Sequence, residues 1–391
     1  MLKHTYTAFL VMLMLGCIIS DAQAQLDPME RSIVHLGYDQ SFKGQGPQAA
    51  YAFYYYNDPD FLATNKTLRL VIAPVYLDGE LGFKQLISPN TDFGIGFNGG
   101  GFSDNFYEVR QGHYYKEESF DGHAGGLSVN AYHRLNPDHS IPLSFVARTG
   151  FRYSIFDETD RTAGNFTVPS DNKVGFVRTG LRFAGKEPVL YPDLGLEVSL
   201  WYERQQRFDS ENFGYAGERP VKSHTDLYWV YAGLNYGWTN TGHHVSFSVT
   251  AAGSSSADRF SAWRLGSVLP LGAEYPLILP GYYYQELTAE RFVHLHASYM
   301  LPLSPSRRWQ FRAEVASAAI DYLDGFAQPD VWQTGAGAGI AYSPESQSCR
   351  VVLRYGYGFN AIRGSDEGAH SVGLLFQYDF KARKRLAKAR E

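Results

Sequence analysis

The sequence predicts an all-β protein, a single 16-stranded antiparallel transmembrane β-barrel, and three observations carry that prediction. Segments of about ten residues alternate strictly between apolar and polar positions, the signature of strands with two different faces. Aliphatic residues sit centrally in these segments and aromatic residues near their ends, as in Val230, Ala232, Leu234, Tyr236 and Trp238 on one face. Beyond residue 24, no run approaches the roughly 18 apolar residues that a membrane helix requires. Strands of this length are longer than the mode of about 5–6 in soluble sheets and match a tilted bilayer crossing.

Composition narrows the class further. The 391 residues are 44% hydrophobic and only 19% charged, with 28 Tyr and 26 Phe, which excludes a chain that is mainly disordered. The formal net charge of -5 supplies no positive field for nucleic acid, so none is expected as a partner.

The N-terminus reads as an export signal over residues 1–24. Lys3 and His4 form a positive start, Ala8 to Ile19 an apolar run, and Ala22-Gln23-Ala24 a small-x-small cleavage site, so the mature chain begins at Gln25. Lipid attachment at Cys17 is the competing reading, but Met14 and Leu15 fit poorly before it. Cleavage leaves Cys349 as the only mature cysteine and therefore no intramolecular disulfide. A short N-terminal segment, 25–47, then leads to a barrel over 48–380.

The expected strands run in order Ile33 to Phe42, Gln48 to Tyr55, Thr67 to Tyr76, Phe93 to Gly101, Ala124 to Leu135, Leu143 to Phe156, Val174 to Ala184 and Leu194 to Arg204. They continue with Asp226 to Trp238, His243 to Gly253, Arg259 to Gly266, Ala289 to Met300, Trp309 to Ile320, Ala336 to Tyr342, Arg350 to Asn360 and His370 to Phe380. Leu194, Leu196, Val198, Leu200 and Tyr202 face one way and Glu197, Ser199 and Glu203 the other. Val351, Leu353, Tyr355, Tyr357 and Phe359 likewise oppose Arg350, Arg354, Gly356 and Asn360. Asn98-Gly99-Gly100-Gly101 reads as a strand end or turn.

The last strand resembles the C-terminal β-signal by which outer-membrane barrels are recognised for insertion, with Gly373, Phe376, Tyr378 and Phe380 in the matching positions. That resemblance implies the barrel-assembly machinery as a partner during insertion, outer-membrane lipid as the surroundings, and the bacterial outer membrane as the location. The basic tail 381–391 follows, with six basic residues and one acid. It is either a solvated end or a periplasmic contact, to an acidic periplasmic or outer-membrane protein partner or to an anionic lipid surface; a homo-oligomer is a further option.

Asp258-Arg-Phe-Ser-Ala-Trp-Arg-Leu-Gly266-Ser267, then Leu279-Pro280-Gly281-Tyr282, Glu286 to Arg291 and Tyr299 to Leu303, resemble the sixth-loop region of the BamA/TamA superfamily of outer-membrane barrels. In that family an Arg-Leu-Gly-Gly strand end precedes a loop carrying Val-Arg-Gly-Phe or Tyr. Eleven expected strands precede the loop and five follow it, as the family's arrangement implies. Gly281 and Tyr282 match the motif, but Pro280 replaces its Arg and removes a charge with five donors. The family pairs that Arg with an acid two strands later; aligning the strand Gln310 to Ala319 puts Ser317 there. A variant without the family's N-terminal POTRA domains is expected, since 25–47 has no room for one. The apolar sixth extracellular loop, Gly266 to Glu290, with Tyr282 to Tyr284 in succession, is expected to fold back into the lumen, with contact to a partner or an ordinary packed external loop as the alternatives.

No nucleophile elbow or phosphate-binding loop stands out. The lumen side is expected to carry Arg178, Arg182, Arg312, Arg350 and Arg354 beside Glu197, Glu203, Glu314 and Asp379, an ordinary mixed-charge lining. His294 and His296 share a face and His243 and His244 are adjacent, with no third ligand for a metal. No catalytic, cofactor-binding or metal residues are assigned, and an enzyme is not expected. The resemblance implies membrane-embedded assembly, translocation or scaffolding; the alternatives are a passive outer-membrane channel and, less in keeping with the residues, an outer-membrane enzyme.

Overall fold

The computed structural model describes residues 29–136 and 141–382. The signal segment 1–24 and the tail beyond 382 lie outside the described residues. Sixteen antiparallel strands form the wall: β1 (Arg31–Ser41), β2 (Ala49–Asp58), β3 (Lys66–Ala73), β4 (Tyr76–Ser88), β5 (Thr91–Gly100), β6 (His113–Arg134), β7 (Leu143–Glu158) and β8 (Asn172–Gly185). They continue as β9 (Leu194–Arg207), β10 (His224–Gly237), β11 (His244–Ser255), β12 (Leu287–Pro302), β13 (Trp309–Tyr322), β14 (Trp332–Tyr342), β15 (Cys349–Arg363) and β16 (Asp366–Asp379). Each strand pairs with its neighbours in sequence, and β1 pairs with β16 from Ile33↔Asp379 to Ser41↔Ser371. That last pairing closes the sheet and leaves no free edge.

The alternation is inside-out relative to a water-soluble core. Val177, Leu181, Val198, Leu200, Val230, Leu353 and Leu374 point outward and are exposed, whereas Glu197, Glu203, His294, Arg312, Glu314 and Arg354 are buried. Outward aromatics gather at strand ends, where Trp309 lies 4.8 Å from Tyr342 and Tyr236 lies 5.0 Å from Trp238. The expected charged lining is paired inside: Arg178 with Glu203 at 2.5 Å, Arg182 with Glu197 at 2.8 Å, and Arg354 with Glu314 at 3.0 Å. At the end carrying the longer loops, Phe106, Phe120, Phe156, Phe166 and Phe213 form a separate aromatic cluster with Phe260 packed on it. The short strands Phe166–Thr167 and Gly214–Tyr215 pair within this cap.

The strand count of sixteen agrees with the sequence reading, but two assignments within it exchange places. Arg259 to Gly266 is not a wall strand; only Trp263–Leu265 pairs, with Leu287 to Ala289, while β11 and β12 bond directly to each other. The missing member is β4, whose Asp78-Gly79 reads as a turn signal although the real turn is at Pro74-Val75. The expected strand Thr67 to Tyr76 therefore ran through that turn. Because one error fell before the sixth loop and the other inside it, eleven strands precede the loop and five follow it, but the loop is longer at its front and ends at Glu286. The barrel also begins earlier than residue 48, since β1 lies within the leading segment 25–47 and forms the seam.

Leu36 and Phe376 are opposite each other across the seam and both face outward. Directly opposed antiparallel residues lie within disulfide reach. In a Cys349→Ser background, Leu36→Cys with Phe376→Cys should form a crosslink between the first and last strands under mild oxidation. No crosslink in the folded protein, judged by its shifted mobility on unboiled gels, would mean that the seam register is different.

Candidate functional site

The sixth loop, residues 256–286, is held at three sectors of the inner wall. Its chain first folds on itself: the Leu279 amide donates to the Gly266 carbonyl at 2.7 Å, and the Ser267 amide to the Tyr283 carbonyl at 2.9 Å. Arg264 bonds the Gln285 carbonyl at 3.0 Å and the Tyr107 carbonyl at 2.6 Å, tying the loop neck to the cap. A self-bonded neck leaves few orphan backbone groups for solvent to satisfy.

The tip is Leu279, Pro280, Gly281 and Tyr282, and it lies against β13 to β16. Leu279 and Tyr282 are fully buried with Ala316, Ala318, Ile320 and Ala369 around them. The Tyr282 hydroxyl donates to Gln333 at 2.9 Å, and burial pushes its phenol up. Gly335, Gly356 and Gly358 open a trough in the wall for this tip. A Cβ on Gly335 would stand 2.3 Å from the Pro280 carbonyl oxygen, and one on Gly358 would stand 2.8 Å from the Tyr282 ring. Gly281 itself has φ of 88°, and its added Cβ would stand 2.0 Å from the Gly358 amide nitrogen, so only glycine fits here.

The loop is fastened by an ion pair that the sequence analysis did not find. Glu286 and Arg363 meet through two hydrogen bonds of 2.7 and 2.9 Å, both side chains about 1% exposed. Glu286 also accepts from the Tyr283 amide at 2.7 Å, closing the turn behind the motif. Arg363 reaches the Gly281 carbonyl at 3.3 Å and stacks 3.6 Å from the Tyr283 ring centre. A planar guanidinium can satisfy a carboxylate, a carbonyl and a ring together, which a lysine could not. The acid is on the loop and the arginine on the wall.

Ser317 is not the wall partner of the motif. On β13 the inward residues are Arg312, Glu314, Ala316, Ala318 and Ile320, whereas Ser317 shares the outward face with Val315 and bonds Thr334 at 2.8 Å. A one-residue slip in alignment moves a side chain to the opposite face of a strand. The wall facing the tip is therefore apolar, matching Pro280, and the charge has moved to Glu286 and Arg363. Arg363 was missed because the expected strand stopped at Asn360 and because a register shift between Gly358 and Ile362 turns the odd-numbered positions inward.

Two more sectors are engaged. Ser267 donates to Asp39 of β1 at 2.6 Å, and Leu269 packs with Tyr51 of β2. On the far wall, Glu274 lies 3.6 Å from Arg178 and 3.8 Å from Arg182, and the Tyr275 hydroxyl donates to Glu197 at 3.0 Å. Burial opposes ionisation of Glu274, but Arg182, Arg178, Arg148 and Lys186 outweigh it and hold the carboxyl below its usual range.

At the opposite end, the turn 186–193 reaches from β8 and β9 across to β15 and β16. The Leu190 amide donates to Gln377 at 2.7 Å, Arg350 donates to the Leu190 carbonyl and, at 3.0 Å, to the Tyr191 carbonyl, and His244 bonds the Pro192 carbonyl at 2.8 Å. Sequence reasoning passed over this turn because its partners come from strands distant in the chain. His294 bonds the Ile278 carbonyl and His296 bonds Glu314, so both inward histidines are engaged by the protein. Of the C-terminal residues singled out, Phe376, Tyr378 and Phe380 face outward, while Gly373 faces inward where a Cβ would stand 2.6 Å from the Asp39 carboxylate.

Three solved structures share this architecture. CdiB from Acinetobacter baumannii superposes with a TM-score of 0.60 at 11% identity, covering 90% of this chain and 60% of that one. BamA from Haemophilus ducreyi lacking POTRA domains 1–3 gives 0.55 at 7% identity, covering 90% and 71%. The fold is that of the BamA and CdiB barrels. CdiB from Escherichia coli also gives 0.55, at 14% identity, covering 90% of this chain and 63% of its own. The chain thus spans a little under two thirds of the two CdiB chains. No protein-family model matches the sequence, and no curated protein matches it.

Removing one member of a buried ion pair strands the other, at a cost of about 3–5 kcal/mol. Glu286→Gln and Arg363→Met should each lower unfolding stability by that order and expose the loop to protease, while the exchanged pair, Glu286→Arg with Arg363→Glu, recovers part of the loss. Single variants that unfold and resist protease like the parent would remove the pair from this role. Glu274 has a lowered carboxyl, so its contribution is complete above the ordinary 4.5 and is lost as pH falls through the lowered value. Loop protection should therefore weaken in acid, and Glu274→Gln should flatten that part of the pH profile.

Proposed function

We propose that this protein is a bacterial outer-membrane barrel whose lumen is occupied by its own sixth loop, and that it acts as a membrane-embedded assembly, translocation or scaffolding component. The observation that carries the reading is the buried Glu286–Arg363 pair, which fastens the loop motif to the inner wall. A loop held at three sectors of the inner wall stays in the lumen rather than swinging free of it.

The outward apolar face fits lipid, because a closed barrel satisfies every ladder hydrogen bond without water. Export by the signal at 1–24 and insertion by the barrel-assembly machinery, reading Gly373, Phe376, Tyr378 and Phe380, would bring the chain there. The tail 381–391 is then a periplasmic contact for a protein partner, and Lys381 already bridges to Glu30 at 2.7 Å across the seam end. The proposal assigns no catalytic chemistry. CdiB and BamA support the architecture of this reading, while the work done by this barrel rests on its own loop.

The passive-channel reading is favoured by one feature, a polar cavity of about 170 Å³ beside the loop. Planar-bilayer recordings separate the two. The intact protein should be closed, and deletion of 272–285 in a protein that still shows heat-modifiable mobility should produce steady conductance. Large steady conductance in the intact protein would make it a channel.

A further inference from the structure

The inner wall of β3 to β9 bounds that cavity of about 170 Å³, and its charges do not cancel. Four arginines line it, Arg69, Arg148, Arg152 and Arg178, against three carboxylates, Asp78, Glu80 and Glu203. Two of the arginines are closely matched: Arg69 to Asp78 at 2.6 Å and Arg178 to Glu203 at 2.5 Å. Arg152 has a longer contact, 3.7 Å, to Asp104. Both oxygens of Glu80 are taken by neutral donors, the Tyr132 hydroxyl at 2.7 and 2.9 Å and the Asn130 amide.

That arrangement leaves Arg148 beside the Tyr132 hydroxyl without a close carboxylate. Among the described residues it has no carboxylate within ion-pair distance, and its buried Nε has no acceptor. Asn130 is 1% exposed, and its amide oxygen is buried without a donor. The carboxylates Glu274 and Glu80 act on Arg148 only from beyond ion-pair distance, so a buried guanidinium Nε without an acceptor and an amide oxygen without a donor are both left for a group in the cavity. Ser128 and Gln205 add neutral hydrogen-bonding groups on the same lining.

We infer that this cavity is a binding site for a small oxyanion, a phosphate or carboxylate group that accepts from Arg148, with a protonated oxygen or attached hydroxyl to serve Asn130. Arginine presents its donors in a fork that matches both oxyanions. The volume admits a single such group with a few attached atoms. The site stands apart from the Glu286–Arg363 fastening, although Arg178 on its lining also meets Glu274 of the sixth loop.

The test is titration calorimetry of the detergent-purified full-length protein with inorganic phosphate, and separately with acetate, at low ionic strength. Saturable heat with one or both probes, weakened at least tenfold by Arg148→Met and restored in part by Arg148→Lys, is the expected result. A surface control, Arg307→Met, should leave binding unchanged. Folding of each variant is read first from mobility with and without boiling. If Arg148→Met does not fold, Arg148→Lys and Asn130→Asp carry the decision, the second weakening an anion by repulsion. No saturable heat with either probe in the parent protein, or binding that is equal in the Arg148 variants, overturns the inference.

Discussion

The whole architecture depends on the pairing of β1 with β16. Strands whose outward face is apolar cannot leave a row of unpaired amides and carbonyls beside that face, because no water is there to satisfy them in lipid. Pairing from Ile33↔Asp379 to Ser41↔Ser371 removes the edge and also brings residues from the two ends of the chain together. Asp39 and Gly373 are one such pair; the glycine leaves room for the carboxylate that then accepts from Ser267 of the sixth loop. Closure and loop anchoring are thus linked through one residue.

Inside the closed wall, charge must be neutralised locally, since each group is far from bulk water. Glu314 shows the solution, with Arg312 at 2.7 Å, Arg354 at 3.0 Å and His296 at 3.1 Å around one carboxylate. Glu286 and Arg363 apply the same rule across two elements, and the strength of such a pair lies in what happens when one partner is lost. The sixth-loop motif of the resembled family places its arginine on the loop. Here proline stands at that position against an alanine-lined wall, and an acid later in the loop meets an arginine on β15. The attachment moves from β13 to β15 and reverses its polarity.

Much of the wall was legible because period two is a local property. Leu194 to Arg204 and Arg350 to Asn360 could be assigned inward and outward faces from the residues alone, and the structure keeps those faces. β4 was hidden because Asp78-Gly79 carries the residues of a turn, and only pairing with β3 and β5 overrides that preference. Ser317 was misplaced because a loop motif carries no register for a strand two strands later in the chain. The cap, the crossing turn 186–193 and Arg148 had no signal in the sequence, since each is defined by neighbours more than a strand apart.

The sequence by itself determined the class: alternating faces, strand length and aromatic ends follow from nearest-neighbour geometry and from which solvent each face can tolerate, and the sixth-loop motif is placed by its resemblance to the family. Only the tertiary structure decided which charges meet. Ion pairing needs side chains within a few ångströms, and closure of the sheet brings Glu286 to Arg363 and Leu190 to Gln377 across sequence separations of 77 and 187 residues. No local pattern encodes such distances, because they exist only once β1 has found β16.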